Sequence, residues 1–255
     1  MVDRVLFDVD GVLIRNPYKK LIFPEVARRL VEKEKVQEFV GLMMKESIRR
    51  IREGKLVDAY NWDDIVRAVS RRIGVKGNVS VANVVVEVCS STAKIEAYPD
   101  AIPTLLELKS KGIELIALTN GFYDIVTPVM RKAGVLELLD DLITPDKVGA
   151  AKPSLKIFLV ASEGAMEPLF VGDNVSVDIC GANFAGISSV LLWRELPEEL
   201  SVDPKERAAK ANALGLIQEK LMSESTSFLA LSQTCVPDFL IRSLKELIRI
   251  VERIN

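Results

Sequence analysis

A chain of 255 residues, 49% of them apolar, is long enough to bury one large core or a core carrying a smaller domain. Its 34 Lys and Arg against 36 Asp and Glu leave a formal charge of -2, so no global field favours nucleic acid or an acidic membrane, and a small-molecule partner fits better. There is no histidine, which removes Ser-His-Asp and Cys-His catalysis, His-ligated metals and phosphohistidine intermediates, and leaves acid-base work mainly to carboxylates.

In chain order, residues 5–7 are apolar without a break, as expected of a strand buried on both faces of a parallel sheet. Asp8, Asp10 and Gly11 follow at once. At a strand end such carboxylates point in different directions, so one side chain and one backbone carbonyl can face a cation while the other side chain faces a substrate. Gly11 lets the backbone approach closely.

From Leu13 to Glu96 the pattern is helical throughout, with helices expected over 24–35, 36–52, 62–73 and 80–95, separated by Gly54, Gly74 and Gly77. Asn61 is a plausible cap for the third. Residues 79–88 are rich in β-branched side chains and suit a strand by propensity, but the apolar face of a packed helix reads the same way. Tyr60 and Trp62 suit either core packing or a substrate slot.

From Tyr98 helix and strand alternate. Asp100 can cap a helix in which Ile102, Leu105 and Leu106 share a face, and a strand over 113–118 then runs into Thr119, Asn120 and Gly121. A helix carrying Pro128, a short strand at 142–143, a loop with Lys152-Pro153 and a buried strand over 168–172 follow. That last strand ends in Asp173, with Asp178 five residues on in the next helix. Strands at 187–192 and 237–241 and a helix over 243–254 close the chain. This alternation predicts an α/β fold, a doubly wound parallel sheet with an inserted all-helical domain, whose ligands bind at the carboxyl ends of the strands.

Asp8 and Asp10, Thr119, and Asp173 each fall just after an apolar strand, so one sheet edge gathers carboxylates densely enough to require a cation. An all-oxygen donor set favours a hard ion, Mg2+ first, and Lys152 adds a point charge suited to phosphate. Cys89, Cys180 and Cys235 are odd in number and widely spaced, which argues against a disulfide framework. With no apolar run near the eighteen or so residues that span a bilayer, a reduced cytoplasmic location is expected.

Phe7-Asp8-Val9-Asp10-Gly11-Val12, Leu118-Thr119-Asn120-Gly121, Lys152-Pro153, and Gly172-Asp173 with Asp178 together resemble, in order, the motifs of the haloacid dehalogenase superfamily of hydrolases. The resemblance implies a core of residues 1–13 and 98–255 and a helical cap over 14–97. It makes Asp8 the nucleophile that forms an aspartyl-phosphate, and Asp10 the acid for the leaving group and the base for water. Asp8, the Asp10 carbonyl and Asp173 become the Mg2+ ligands, with Asp178 orienting Lys152 or a bound water behind them. Thr119, Asn120 and Lys152 hold the phosphoryl group. Dehalogenases of the family dispense with the second aspartate, because halide leaves without a proton, so the resemblance favours a phosphatase of a small phosphorylated metabolite. A phosphosugar mutase of the same family is the alternative, and a phosphate-accepting receiver or a binding protein the reading from another class.

The resemblance does not cover 194–234. Residues 204–222 read as one helix, with Asp203 as its cap and Leu214, Ile217 and Leu221 on one face, followed by an apolar patch at Phe228, Leu229 and Leu231. A crossover helix covering its own sheet is one reading, and a homodimer contact beside the site the other.

Overall fold

The computed structural model describes residues 1–196, 200, 203–224 and 235–254, with β1 (Arg4–Phe7) at the middle of the sheet. Residues 5–7 are completely buried, as an interior parallel strand requires. The helical stretch comprises α1 (Phe23–Arg28), α2 (Val36–Arg52), α3 (Trp62–Arg72) and α4 (Val81–Ser91). The chain enters and leaves it through paired backbone, Arg15 donating to the Glu96 carbonyl at 3.2 Å and Tyr98 to that of Leu13 at 2.9 Å.

After it come α5 (Ala101–Ser110), β2 (Glu114–Leu118), α6 (Tyr123–Lys132), β3 (Asp141–Ile143), α7 (Pro145–Val148), α8 (Leu155–Ser162) and β4 (Pro168–Gly172). Then α9 (Cys180–Phe184), β5 (Ser188–Leu192), α10 (Pro204–Ala213), α11 (Leu216–Glu224), β6 (Phe239–Ile241) and α12 (Lys245–Ile254) complete the described chain. The strands lie in the order β3-β2-β1-β4-β5-β6, every neighbouring pair parallel. The order changes direction at β1, so a crevice opens over the carboxyl ends of β1 and β4.

Alternation along the strands supplies two cores. Val5, Phe7, Leu115 and Val171 face α5 and α12, whereas Leu6, Ile116 and Phe170 pack against Ile157, Phe158 and Ala182 of α8 and α9. The β-branched run is helical because Val81, Val84, Val85 and Cys89 form one buried face of α4, and tertiary packing overrides propensity. Asn61 does cap α3, accepting from the Asp64 amide at 3.1 Å.

Several expectations are corrected. α1 ends at Arg28 rather than Lys35, and α6 already begins at Tyr123, so Pro128 lies inside it without delaying its start. Asp100 does not cap α5 with its side chain; Oδ2 instead accepts from the Leu244 amide at 2.9 Å and the Ser243 hydroxyl at 2.7 Å, and pairs with Arg194. A buried carboxylate is satisfied best where several donors converge, and the start of the last helix offers more than its own. Leu106 is exposed, and Leu108 takes its place beside Leu105 in the core. Cys180 and Cys235 form a disulfide across 55 residues, against the expectation from their spacing; Cys89 is free and buried.

The segment read as one helix is two, broken at Gly215, whose φ of +75 is a left-handed helix stop. Asp203 caps α10, accepting from Lys205 and Glu206. Ile217 and Leu221 are buried against Val175, Ile179, Leu191 and Leu240, while Leu214 points to solvent. Ile217 and Leu221 therefore cover the chain's own sheet, as the crossover reading expects; Phe228, Leu229 and Leu231 lie outside the described residues. Ile217→Ala should lower the free energy of unfolding by about 2–5 kcal/mol in a denaturant titration, whereas Leu214→Lys should change it by less than about 0.5 kcal/mol. Equal effects would contradict this packing. No described helix is long and apolar enough to cross a membrane.

Candidate active site

Asp8 is the first residue past β1, and its amide still donates to the Val171 carbonyl at 2.9 Å, so the strand ladder itself aims the side chain. The chain then turns at Gly11, with φ +92, where a Cβ would stand 2.0 Å from Oδ2 of Asp173. Glycine is needed there for its backbone and for close approach to the facing carboxylate. A Cβ on Gly172 would likewise stand 2.4 Å from that of Asp178, which is how the end of β4 brings Asp178 into the site.

Lys152 arrives from the loop after α7 and is 2% exposed, with Nζ 2.6 Å from Oδ1 of Asp8 and 2.7 Å from Oδ1 of Asp178. The other oxygen of Asp178, Oδ2, accepts from the Asn174 amide at 3.1 Å, so both its oxygens are engaged within the protein. Thr119 is buried at the end of β2, where its Oγ1 accepts from the Gly121 amide at 3.1 Å.

Asn120 does something the sequence did not suggest. Its Oδ1 accepts from the Lys152 amide at 2.7 Å and its Nδ2 donates to the Lys152 carbonyl at 3.1 Å. The side-chain amide thus holds the backbone of the lysine on both sides and positions it.

Electrostatically the cluster is starved of positive charge. Burial pushes Asp8 up to about 6, although Lys152 works against it. Burial, with the charge of Asp8 beside it, pushes Asp10 up to about 8; the residue is half-exposed, but its Oδ1 is sealed from solvent and has no hydrogen-bond partner. Asp173 is also pushed up to about 8, by burial and then by the charges of Asp8 and Asp178. Carboxylate oxygens of Asp8, Asp173 and Asp178 lie within 4.8 Å of one another. Such crowding around Lys152 fits a hard divalent cation held by oxygen, and with both oxygens of Asp178 engaged, Asp8 and Asp173 are carboxylates that could hold it.

Above this floor lies a cavity of about 230 Å³. Asp10, Thr119 and Asp173 line it from the sheet, and Tyr18, Lys19, Tyr60 and Trp62 from the helical stretch. Tyr60 is within side-chain hydrogen-bonding reach of Asn120, which joins the helical stretch to the loop that holds Lys152. Tyr60 and Trp62 stand out in the sequence as aromatic residues near a turn, whereas Tyr18 and Lys19 do not. They belong to a single wide turn over Tyr18–Ile22, and no local pattern marked it as facing the strand ends.

Comparison with known proteins agrees with this geometry. A model of haloacid dehalogenase-like hydrolases matches residues 2–186. The chain is 31% identical over 202 residues to the glyceraldehyde 3-phosphate phosphatase of Methanopyrus kandleri, covering 76% of this chain and 85% of that one. It is 28% identical over 215 residues to the phosphatase of the same name from Methanocaldococcus jannaschii, covering 80% and 90%. Among solved structures, a HAD phosphatase from Thermococcus onnurineus superposes with a TM-score of 0.66 at 24% identity, over 98% of this chain and 97% of that one. The L-2-haloacid dehalogenase of Xanthobacter autotrophicus superposes with a TM-score of 0.65 at 21% identity, over 99% of each chain.

Proposed function

Because the chain belongs to the haloacid dehalogenase-like hydrolases, and is a phosphatase of a small phosphorylated metabolite, we propose that its substrate is a three-carbon sugar phosphate of the glyceraldehyde 3-phosphate kind. The observation that carries this reading is the cavity of about 230 Å³ over Asp8, Asp10 and Lys152, which is below the usual range for drug-sized ligands and suits a phosphate with a short carbon tail better than a nucleotide. The names of the relatives supply the particular triose.

In the proposed mechanism residues 14–97 form a cap over a core of 1–13 and 98–255. The Asp8 carboxylate attacks phosphorus, and the bond from phosphorus to the substrate oxygen breaks as an aspartyl-phosphate forms. Asp10, kept protonated by burial and by the charge of Asp8 beside it, gives its proton to the departing alkoxide, then takes one from the water that attacks the aspartyl-phosphate and frees inorganic phosphate. Lys152 faces the negative charge that gathers on the transferring group, and Asp178 and Asn120 hold Lys152 in place. Thr119 offers its hydroxyl to a phosphoryl oxygen. Asp8, Asp173 and the Asp10 carbonyl would hold Mg2+, which when bound would supply positive charge to the transferring phosphoryl group. The requirement for a proton donor separates this chemistry from halide release, and Asp10 provides one.

The test is release of inorganic phosphate from a panel of triose, pentose and hexose phosphates, phosphorylated acids and nucleotides, with Mg2+ and with a chelator. Glyceraldehyde 3-phosphate should lead in kcat/KM by about tenfold or more over the hexose phosphates and nucleotides, with activity lost to the chelator. A nucleotide or hexose phosphate in first place would reject the triose reading.

A further inference from the structure

The segment between β5 and β6 lies outside the matched family region, yet its described part, with α10 and α11, reaches the back of the turn that carries Asp173 and Asp178. We propose that this segment is a brace on the active-site turn, in which Glu224 of α11 is a positioning residue that fixes Asp173 and Asp178 from outside the cavity.

Glu224 is 15% exposed, and its Oε2 accepts from the Val175 amide at 2.7 Å, two residues beyond Asp173. Asn174 cannot serve that donor, because its side-chain oxygen already takes the Val177 amide at 3.0 Å and the Ser176 hydroxyl at 2.8 Å. Val175 is completely buried, so its N–H needs an acceptor from another part of the chain, and losing one there is costly. Glu224 is itself aimed by Lys220, whose Nζ stands 2.5 Å from Oε1 and 5.0 Å from the centre of the Trp193 ring.

The far end of the same turn is fastened too. Cys180, two residues past Asp178, is linked to Cys235, and the Asn183 side-chain amide donates to the Val236 carbonyl at 2.7 Å. Ile217 and Leu221 fill the space between, against Val175 and Ile179. One short stretch of chain therefore presents Asp173 and Asn174 to the cavity on its inner side and is gripped at both ends on its outer side. Through Asp178 the grip extends to Lys152. A loose turn would leave the carboxylates in place on average but spread their positions, and small misplacements at a reacting centre are expensive.

This inference rests on the proposed site, so its test includes a readout that needs neither substrate nor metal. Hydrogen exchange is measured over residues 174–184 in wild type, Glu224→Ala and Glu224→Gln, followed by Mg2+ binding by calorimetry and by steady-state kinetics. Glu224→Ala should speed exchange there by about tenfold or more, weaken Mg2+ binding by about tenfold, and lower kcat with KM changed less than about threefold. Glu224→Gln keeps an oxygen for the Val175 amide and should restore the protection and most of the kcat. Wild-type protection and Mg2+ affinity in a folded Glu224→Ala protein overturn the proposal. Should that variant not fold, Cys235→Ser is read in the same way at the other end: faster exchange over 180–184 supports the brace, and unchanged exchange overturns it. Failure of the phosphatase reading would show instead as a wild type with firm protection and no turnover.

Discussion

Asp8→Asn should leave a folded protein whose phosphatase turnover is lower by about 10⁴-fold or more, a barrier increase of about 5.5 kcal/mol. An amide has no anionic oxygen with which to attack phosphorus. The fold should tolerate the change because the side chain keeps its shape and an oxygen for Lys152, which now stands 2.6 Å from Asp8. Without added metal, the variant should resist heat at least as well as wild type, since it relieves the crowding that raises the pKa of Asp10 and Asp173. Turnover within tenfold of wild type would remove Asp8 from the role of nucleophile. A folded variant that still binds Mg2+ but turns over nothing would uphold it.

The second large effect is expected at Lys152, and it reaches stability as well as catalysis. Lys152→Met should lower turnover by about 10²-fold or more, because charge on the transferring group loses the buried cation beside Asp8. It should also lower the unfolding free energy of the metal-free protein by about 3–5 kcal/mol at neutral pH, the usual result of removing one partner from a buried ion pair. Lys152 is 2% exposed and sits between Asp8 and Asp178, so its loss strands carboxylates that are nearly as buried. Added Mg2+ should return part of that stability by binding the folded form, with a midpoint that rises with metal concentration, while the lost turnover does not return. An unchanged thermal midpoint in the metal-free variant would show that Asp8 and Asp178 do not depend on this lysine. Asn120 provides the contrast, because it touches Lys152 only through the backbone, at 2.7 Å and 3.1 Å.

What could be read from the sequence was whatever local chemistry decides. β1 and the acids after it were legible because a strand buried on both faces must be apolar throughout, and its end is where polar residues resume. The span of α2 was read correctly as 36–52, since apolar spacing and the glycine after it are local signals. The doubly wound sheet followed from the alternation of elements, and the order of the motifs at strand ends was enough to name the hydrolase family.

Tertiary structure alone decided everything that depends on which distant segments meet. The disulfide joins positions 55 residues apart whose Cα atoms are 4.2 Å distant, and it is the parallel ladder of β4, β5 and β6 that brings their neighbourhoods together. Nothing near Asn120 indicates that its amide would hold Lys152, and nothing near Glu224 indicates that it would reach Val175. Asp100 had the look of a helix cap, but the fold offered it Arg194, Ser243 and Leu244 instead. The physical reason is common to all four. An apolar pattern specifies which face of an element is buried, whereas a polar side chain goes wherever the assembled chain leaves a donor, an acceptor or a thiol within reach, and that inventory exists only after the elements have packed.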